Sequence, residues 1–584
     1  MFSLSGQRAR LATLVSVVAV GATFLVTAPL GGCGDDSGDA GGDAGFDSGV
    51  DSGEADAAGP NLTPSDASGQ ANCTVNGIDY IDFCLQKTIL RGEHAVFDPK
   101  NGVASSWSAT TFAPNSDGGS VLHDYRDDVA YGSSLSIYLI SENEYSDTQL
   151  DPIITADLSA LAPLVESEFT TLPASYDGEL YLRLRRLAEG LSLVQDTANG
   201  AKITAIADAY GRAIYSMSFH PLALTSPDDA GTVDASEDGS APLDAAVDSS
   251  TPDSATGPGT DDAGSDGGLH FVDGILGTPA ASGGIAYDVD QAASGALALV
   301  DMANRHATDD ASQAAVWAQA AGVVFNHLYA RARHSSGLYY SYLVTSSDPG
   351  HDALDTVLTP SDTLLTETQG SVMASMLRAV GILTLGNVPQ LSASTLNALV
   401  VVPLNSIQGT PSLWDTTSNS ATLDACGILA PSSGITAPCG GTGFFSRELP
   451  STTGVDMTTK TIRGNALLFA AIHRAIQNAL SPVPPTGVPL DAGIGSLIDY
   501  EPLTTLFTSQ VGVTGEQGTE VFTGPVNLTF LTQVSAQNAY PSELAAGLTL
   551  VPGDANFTAQ ANAYAIEALT EQWVGRAGCP LDFY

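Results

Sequence analysis

The sequence predicts a mainly α protein, an array of helical hairpins with a few short strands and two disordered acidic tracts. Long Ala-rich runs place apolar residues at i, i+3 and i+4, the period of a helix. Two-residue alternation, the mark of a strand, is confined to short stretches. Two further stretches carry acids and no bases, with almost nothing to bury. The chain has 584 residues and is 43% hydrophobic, enough for one large core or two medium ones.

Residues 1–32 have the layout of an export signal. Arg8 and Arg10 precede an apolar run from Leu11 to Leu30, and Pro29 with Gly31-Gly32 ends it in small, helix-breaking residues. Leu30-Gly31-Gly32-Cys33 resembles the lipobox of bacterial lipoproteins. The resemblance implies that Cys33 becomes a lipid-linked, acylated N-terminus, a palmitate-type anchor in the cell envelope, with the outer membrane expected. Each buried CH₂ of such chains contributes about 0.8 kcal/mol of membrane affinity. Residues 33–71 read as an acidic, disordered tether. Asp35, Asp39, Asp43, Asp47 and Asp51 recur every fourth residue, a spacing that would stack like charges on a helix.

The net charge of −45 rests on 65 acids against 20 Lys and Arg. Nucleic acid is excluded as a natural partner, because binding it needs cations to displace counterions. Cys73 with Cys84, and Cys426 with Cys439, would close loops of roughly a dozen residues as disulfides, worth about 2–3 kcal/mol each. Clustered cysteines can also hold zinc, but CxxC is absent, and Cys579 could displace any of these partners.

In residues 72–224, Ser134–Ile140 (SLSIYLI) alternates and reads as a strand. Leu180–Leu193 and Ala201–Ser218 read as helices, the second with Ile203, Ile206, Tyr210 and Ile214 on one stripe. Residues 225–268 form the second acidic tract, a linker or an insertion within the helical array. Residues 269–584 carry the main array. Helices are predicted at Asp288–His306, Ser312–Ala332, Thr366–Thr384, Leu396–Leu404, Asn465–Leu480 and Thr558–Val574, with Gly337–Val344 (GLYYSYLV) as a short hairpin strand. Ser361, Asp362 and Thr363, and Asn556, are candidate N-caps.

The helices at 288–306 and 312–332, the Ser-Ser-Gly-Leu-Tyr-Tyr turn at 335–340, Asp362 and the Thr-Glu-Thr-Gln start at 366–369 resemble successive hairpins of an (α/α)6 toroid of the six-hairpin glycosidase group. The resemblance implies a cleft at one end of the barrel, lined by acids and aromatics. Glycoside hydrolysis commonly needs two carboxyl groups across the scissile bond. Asp288, Asp290, Asp362 and Glu367 are the candidates for these, and Trp317, Tyr339, Tyr340 and Trp573 are candidate faces for stacking a sugar. Acids at helix starts are also favoured by capping and the macrodipole alone.

No motif implies a cofactor or a metal. HExxH, GxSxG and the P-loop are absent, although His327, His334 and His351 lie close in sequence. Asp262, Asp266, Gly267 and Asp273 match part of an EF-hand loop, with Gly264 and a final Asp departing from it. The expected function is a lipid-anchored protein that binds or hydrolyses an oligo- or polysaccharide. The alternative is a non-enzymatic scaffold holding a partner. A solute-binding protein would show βα alternation, which is missing.

Overall fold

In the computed structural model, residues 86–141, 150–225, 270–345 and 355–385 are described apart from short gaps, followed by 459–480, 556–576 and isolated residues between them. All six cysteines, the tether and the acidic tract 225–268 beyond its first residue lie outside the described residues. Among the described residues, nine long helices follow in chain order: α1 (Tyr125–Ser141), α2 (Leu150–Glu168), α3 (Gly178–Leu193), α4 (Thr197–Ser218), α5 (Val289–Arg305), α6 (Ala311–Arg331), α7 (Thr366–Leu385), α8 (Ile462–Leu480) and α9 (Ala559–Arg576).

Six of these helices close on one another. α1 packs on α3, α3 on α5, α5 on α7, α7 on α8, α8 on α9, and α9 returns to α1. Helices α2, α4 and α6 lie outside this ring, α2 against α1 and α4, α4 against α3 and α5, and α6 against α5. The helical-hairpin class is therefore met, with the closed inner ring that a toroid requires. Among the described residues, no helix is long and apolar enough to cross a membrane.

Alanine makes this packing possible. Helix α5 touches α3, α4, α6 and α7 and is buried nearly all round, through Ala292, Ala293, Ala296 and Leu299 among others. Glycine permits two of the tightest approaches. A Cβ on Gly178 would lie 2.0 Å from the backbone of Ser294, and one on Gly370 would lie 2.6 Å from Leu467 Cβ.

Short strands set the helix starts. Ile285–Asp288 runs into α5 and is the third strand of an antiparallel sheet in the order Thr356–Val357, Tyr342–Val344, Ile285–Asp288, Thr278–Pro279. Leu364–Leu365 pairs with Arg447–Leu449 before α7, Thr459–Thr461 with Glu543–Ala545 before α8, and Asn556–Thr558 with Ser106–Ser108 before α9. Each strand ends where its helix begins, so a ladder of backbone hydrogen bonds fixes the rim. Phe219–Thr225 and His270–Leu276 pair antiparallel, with Thr225 opposite His270, so the acidic tract leaves and re-enters at one point.

Two sequence expectations change, and one helix is new. Ser134–Ile140 lies within α1 and is not a strand. Its residues are buried between ring neighbours on several sides, so Leu135, Ile137 and Leu139 alternate by composition while the backbone follows the helix. Helix α2 was not foreseen, since Pro163 sits inside it and reads as a breaker. Asn556 is a strand residue, and it is the Thr558 hydroxyl that accepts the Ala561 N–H to cap α9. The Tyr342–Val344 part of GLYYSYLV is a strand, as expected, with Tyr342 opposite Asp288. The other predicted helices stand with ends shifted by a few residues, except 396–404, which is described only in part.

Gly178→Ala is expected to destabilise the protein by about 2 kcal/mol or more, because the obstacle is the α5 backbone, which no rotamer change can clear. Gly200→Ala, where the nearest atom is the rotatable Ser192 hydroxyl at 3.1 Å, should cost far less in the same thermal melts.

Candidate functional site

Asp177 caps α3 by accepting the N–H groups of Glu179 and Leu180, and Asp288 caps α5 by accepting that of Gln291. Thr461 and Thr558 cap α8 and α9 through their hydroxyls. In α3, α5, α7, α8 and α9 the second helical residue is Glu179, Asp290, Glu367, Arg463 and Gln560 respectively. Side chains from these positions meet at one end of the ring, which fixes these helices as running in the same direction.

Arg463 is the centre of the group. Its Nη2 donates to Glu179 Oε1 at 3.2 Å and to Asp290 Oδ2, its Nη1 to Glu367 Oε2 at 3.1 Å, and its Nε to the Tyr564 hydroxyl at 2.9 Å. The Tyr564 hydroxyl in turn donates to Glu179 Oε2. Next to this cluster, Gln560 accepts from Arg183 and donates to Asp127 Oδ1 at 3.1 Å. Arg183 lies over the Tyr564 ring, 4.5 Å from its centroid, and pairs with Glu567, which also binds Arg378. The group stays partly open to solvent, with side-chain exposures of 29% for Arg463, 26% for Glu367 and 12% for Asp290.

Two carboxyl groups on the same guanidinium nitrogen are driven apart in acidity. Burial, opposed by Arg463 but reinforced by Glu179 and Asp288, pushes Asp290 up to about 7. Burial also works against ionised Glu179, but the Arg463 and Arg183 charges outweigh it and hold Glu179 below the usual carboxylate range. Near neutral pH the pair therefore offers one protonated and one ionised carboxyl. Asp290 Oδ1 has no hydrogen-bond partner among the described residues. Along the rim, burial raises Asp127 to about 6.

Of the four acids expected from sequence, Asp290 and Glu367 are brought together. Asp288 is spent on capping, and Asp362 lies outside the described residues. Trp317 is 1% exposed on the outer helix α6, beside His306 and Arg212. Tyr339 is fully buried, and its backbone N–H and C=O are both bonded by the Gln369 side chain. Tyr340 is partly buried against His334. Trp573 falls in α9, and its side chain lies outside the described residues. The aromatic at the cluster is Tyr564, which sequence reasoning missed together with Glu179 and Arg463.

Of the metal candidates, His327 and Asp273 have other employment, while His351, Asp262 and Asp266 lie outside the described residues. His327 is buried with Nδ1 on Asp273 and Nε2 on Asp355, both at 2.8 Å. Carboxylates only accept, so the ring carries both protons. Burial disfavours that charge, but the two hydrogen bonds overcome it and raise the His327 pKa. Asp273, the last ligand position of the EF-hand pattern, thus pairs with His327 and Arg331. Among the described residues, no group of His, Cys, Asp and Glu is placed to hold a metal.

No protein-family pattern matches this chain. No curated protein matches it either. Several solved structures align over most of its length at low identity. An unsaturated glucuronyl hydrolase specific for heparin is 9% identical over 86% of this chain and 99% of its own, with a TM-score of 0.43. The unsaturated glucuronyl hydrolase of Bacillus sp. GL1 is 13% identical over 84% and 95%, at 0.40. An α-1,6-mannanase of Salegentibacter sp. HEL1_6 is 10% identical over 85% and 99%, at 0.40. The likeness is loose, and the closure of the ring is established by the contacts of this chain's own helices.

Arg463→Gln leaves Glu179, Asp290 and Glu367 without their shared counter-charge and should cost about 3–5 kcal/mol at neutral pH. The Glu179 contribution is present above the ordinary carboxylate pKa and is lost as pH falls through its lowered value. Thermal melts of the variant and the wild type should therefore converge on acidification.

Proposed function

We propose that this protein hydrolyses a glycosidic bond in an oligo- or polysaccharide bound at the mouth of the helical ring. The observation that carries the reading is the Asp290–Glu179 pair, two carboxyl groups on one guanidinium nitrogen with acidities displaced in opposite directions. Two hydrogen bonds to one atom put their oxygens within about 6 Å of each other, nearer the separation at which one carboxyl protonates a leaving oxygen while the other attacks the sugar than the wider one that leaves room for a water. Asp290, protonated near neutral pH and with Oδ1 unpartnered, is the general acid. Glu179, ionised, is the nucleophile, and Tyr564 and Arg463 orient it. Glu367 positions Arg463 from the far side.

Partial exposure of the cluster and its origin in several helix starts support a cleft over a set of isolated caps. The glycosidase identity of the loosely similar structures is in keeping with this reading without carrying it. The scaffold alternative has one observation in its favour, that Arg463 is paired with all three acids. The lipobox resemblance supports a further part of the proposal, that Cys33 carries a lipid anchor holding the domain at the cell envelope, at the outer membrane.

Screened against a polysaccharide panel, the wild-type protein should release reducing sugar, and Asp290→Asn and Glu179→Gln should each lower kcat by about 10²–10⁴-fold. Activity should fall as pH rises through about 7, where Asp290 loses its proton, and should persist in mild acid until Glu179 is neutralised. Unchanged turnover in both variants would hand the site to the scaffold reading. Cys33→Ser should release the protein from membranes or leave an unprocessed precursor, and labelled palmitate should enter the wild-type chain only.

A further inference from the structure

The acidic tract departs from a strand pair whose ladder is interrupted part-way along. At the inner end, Ile275 and Leu276 are fully buried, and Gly277 donates its N–H to the Ser218 carbonyl at 2.9 Å. This end is rooted in the core. Further out, Pro221, which has no N–H to give, stands opposite Gly274, and the register slips on both sides of Ala223, which faces Asp273. Beyond the slip, Leu224 opposite Phe271 and Thr225 opposite His270 lead into the tract. At the slip, where the backbone ladder is weakest, side chains take over.

Asp273 ties the strands to α6 at this point. The buried His327 imidazole of α6 lies between Asp273 Oδ1 and Asp355 Oδ2, each 2.8 Å from one ring nitrogen. Arg331, one turn along α6, has Nε 3.7 Å from Asp273 Oδ2 and Nη1 3.4 Å from Asp355 Oδ1. From the strand entering α5, the Tyr287 hydroxyl donates to Asp355 Oδ2 at 2.8 Å, and its ring lies edge-on to the imidazole. These four residues are the charged and titratable groups that face His327 among the described residues. Only the doubly protonated ring satisfies both carboxylates, because a neutral imidazole has one N–H and would turn a lone pair toward the other acid. The two acids are not equivalent. The Asp355 side chain is fully buried and keeps the Tyr287 and Arg331 contacts, whereas that of Asp273 is 14% exposed and can turn to water. The single remaining N–H is therefore best kept on Asp355, and Asp273 is the partner that is let go.

We infer that His327 is a proton-operated latch on the neck of the acidic tract. Its imidazolium grips Asp273 and holds the outer part of the strand pair, residues 223–225 and 270–273, against α6. Release of the Nδ1 proton to solvent frees that part, while the inner end and Asp355 stay in place. The inference goes beyond the proposed hydrolysis and does not depend on it. Burial disfavours the charged ring, but the two carboxylates outweigh it and raise the His327 pKa above 6.5. The contribution of the latch is thus fully present below the ordinary value of 6.5 and is lost as pH rises through the raised one.

Amide hydrogen exchange on the full chain, corrected for the intrinsic effect of pH, tests the latch. From about pH 6 to about pH 9, protection at 223–225 and 270–273 should fall about tenfold or more, with 275–277 and 355–357 unchanged. Nitrogen NMR should find both His327 ring nitrogens protonated at about pH 6. His327→Gln, with one donor and one acceptor like the neutral ring, should leave the neck open at every pH. Asp273→Asn removes one of the two carboxylates and should move the opening down by about one pH unit or more. If His327→Gln does not fold, Asp273→Asn and the wild-type titration still decide. Asp290→Asn, which removes the other group that titrates near neutrality, should leave the opening where it is. Protection that is constant with pH, a bare ring nitrogen at about pH 6, loss of protection throughout the domain in step with the neck, or an opening displaced by Asp290→Asn would each overturn the inference. None of these readouts uses catalytic activity, so failure here and failure of the hydrolase reading are separate results.

Discussion

A single arginine at a position that disfavours it organises this molecule. Arg463 sits in the first turn of α8, where the helix macrodipole presents its positive end and a cation is unwelcome. Three carboxyl groups, from the first turns of α3, α5 and α7, reverse that balance. The guanidinium binds all three, with Asp290 held in its protonated form near neutral pH, and so ties the starts of α3, α5 and α7 to that of α8. Ring closure and the pairing of these charges are therefore one condition. The four helix starts cannot drift apart without leaving partly buried ions unpaired.

The precision of this meeting comes from the rim. Short strands end at Asp288, Leu365, Thr461 and Thr558, and backbone pairing holds those ends in register with neighbouring segments. A helix that starts at a fixed point in a fixed direction presents its second residue at a fixed angle. Repetition around the ring then assembles a polar centre from residues far apart in sequence, with Glu179 and Tyr564 separated by 385 positions. Below this layer the lumen remains charged, through Arg183, Arg378 and Glu567, instead of closing over with aliphatic side chains.

Much of the architecture was legible because α5, α6, α7 and α9 repeat Ala and Leu at helical spacing. Helix α2 was obscured by Pro163, and α1 by the coincidental alternation of Leu135, Ile137 and Leu139 in a segment buried on several sides. At the site, Asp290 and Glu367 could be read as acids at helix starts, but nothing local separates Asp290, which turns to the centre, from Asp288, which caps. Arg463 carried a signal that was readable in retrospect. In Thr461-Ile462-Arg463-Gly464 a base follows a capping threonine by two residues, against the dipole, and such a placement needs acids from elsewhere. Which acids these are is settled only by the folded ring. Trp317 and Tyr339 show the reverse case, aromatics whose burial is dictated by packing outside the lumen.

The paired strands Phe219–Thr225 and His270–Leu276 have a consequence for how this chain can vary. Because Thr225 and His270 stand side by side, the ring makes no demand on the length or content of what joins them. Evolution could stretch, shorten or recode that connection, or a protease could sever it, and the two halves would still be clasped by the ladder and by the α4–α5 contact. The molecule thus contains a natural splice point, at which new sequence could be added without retuning the barrel.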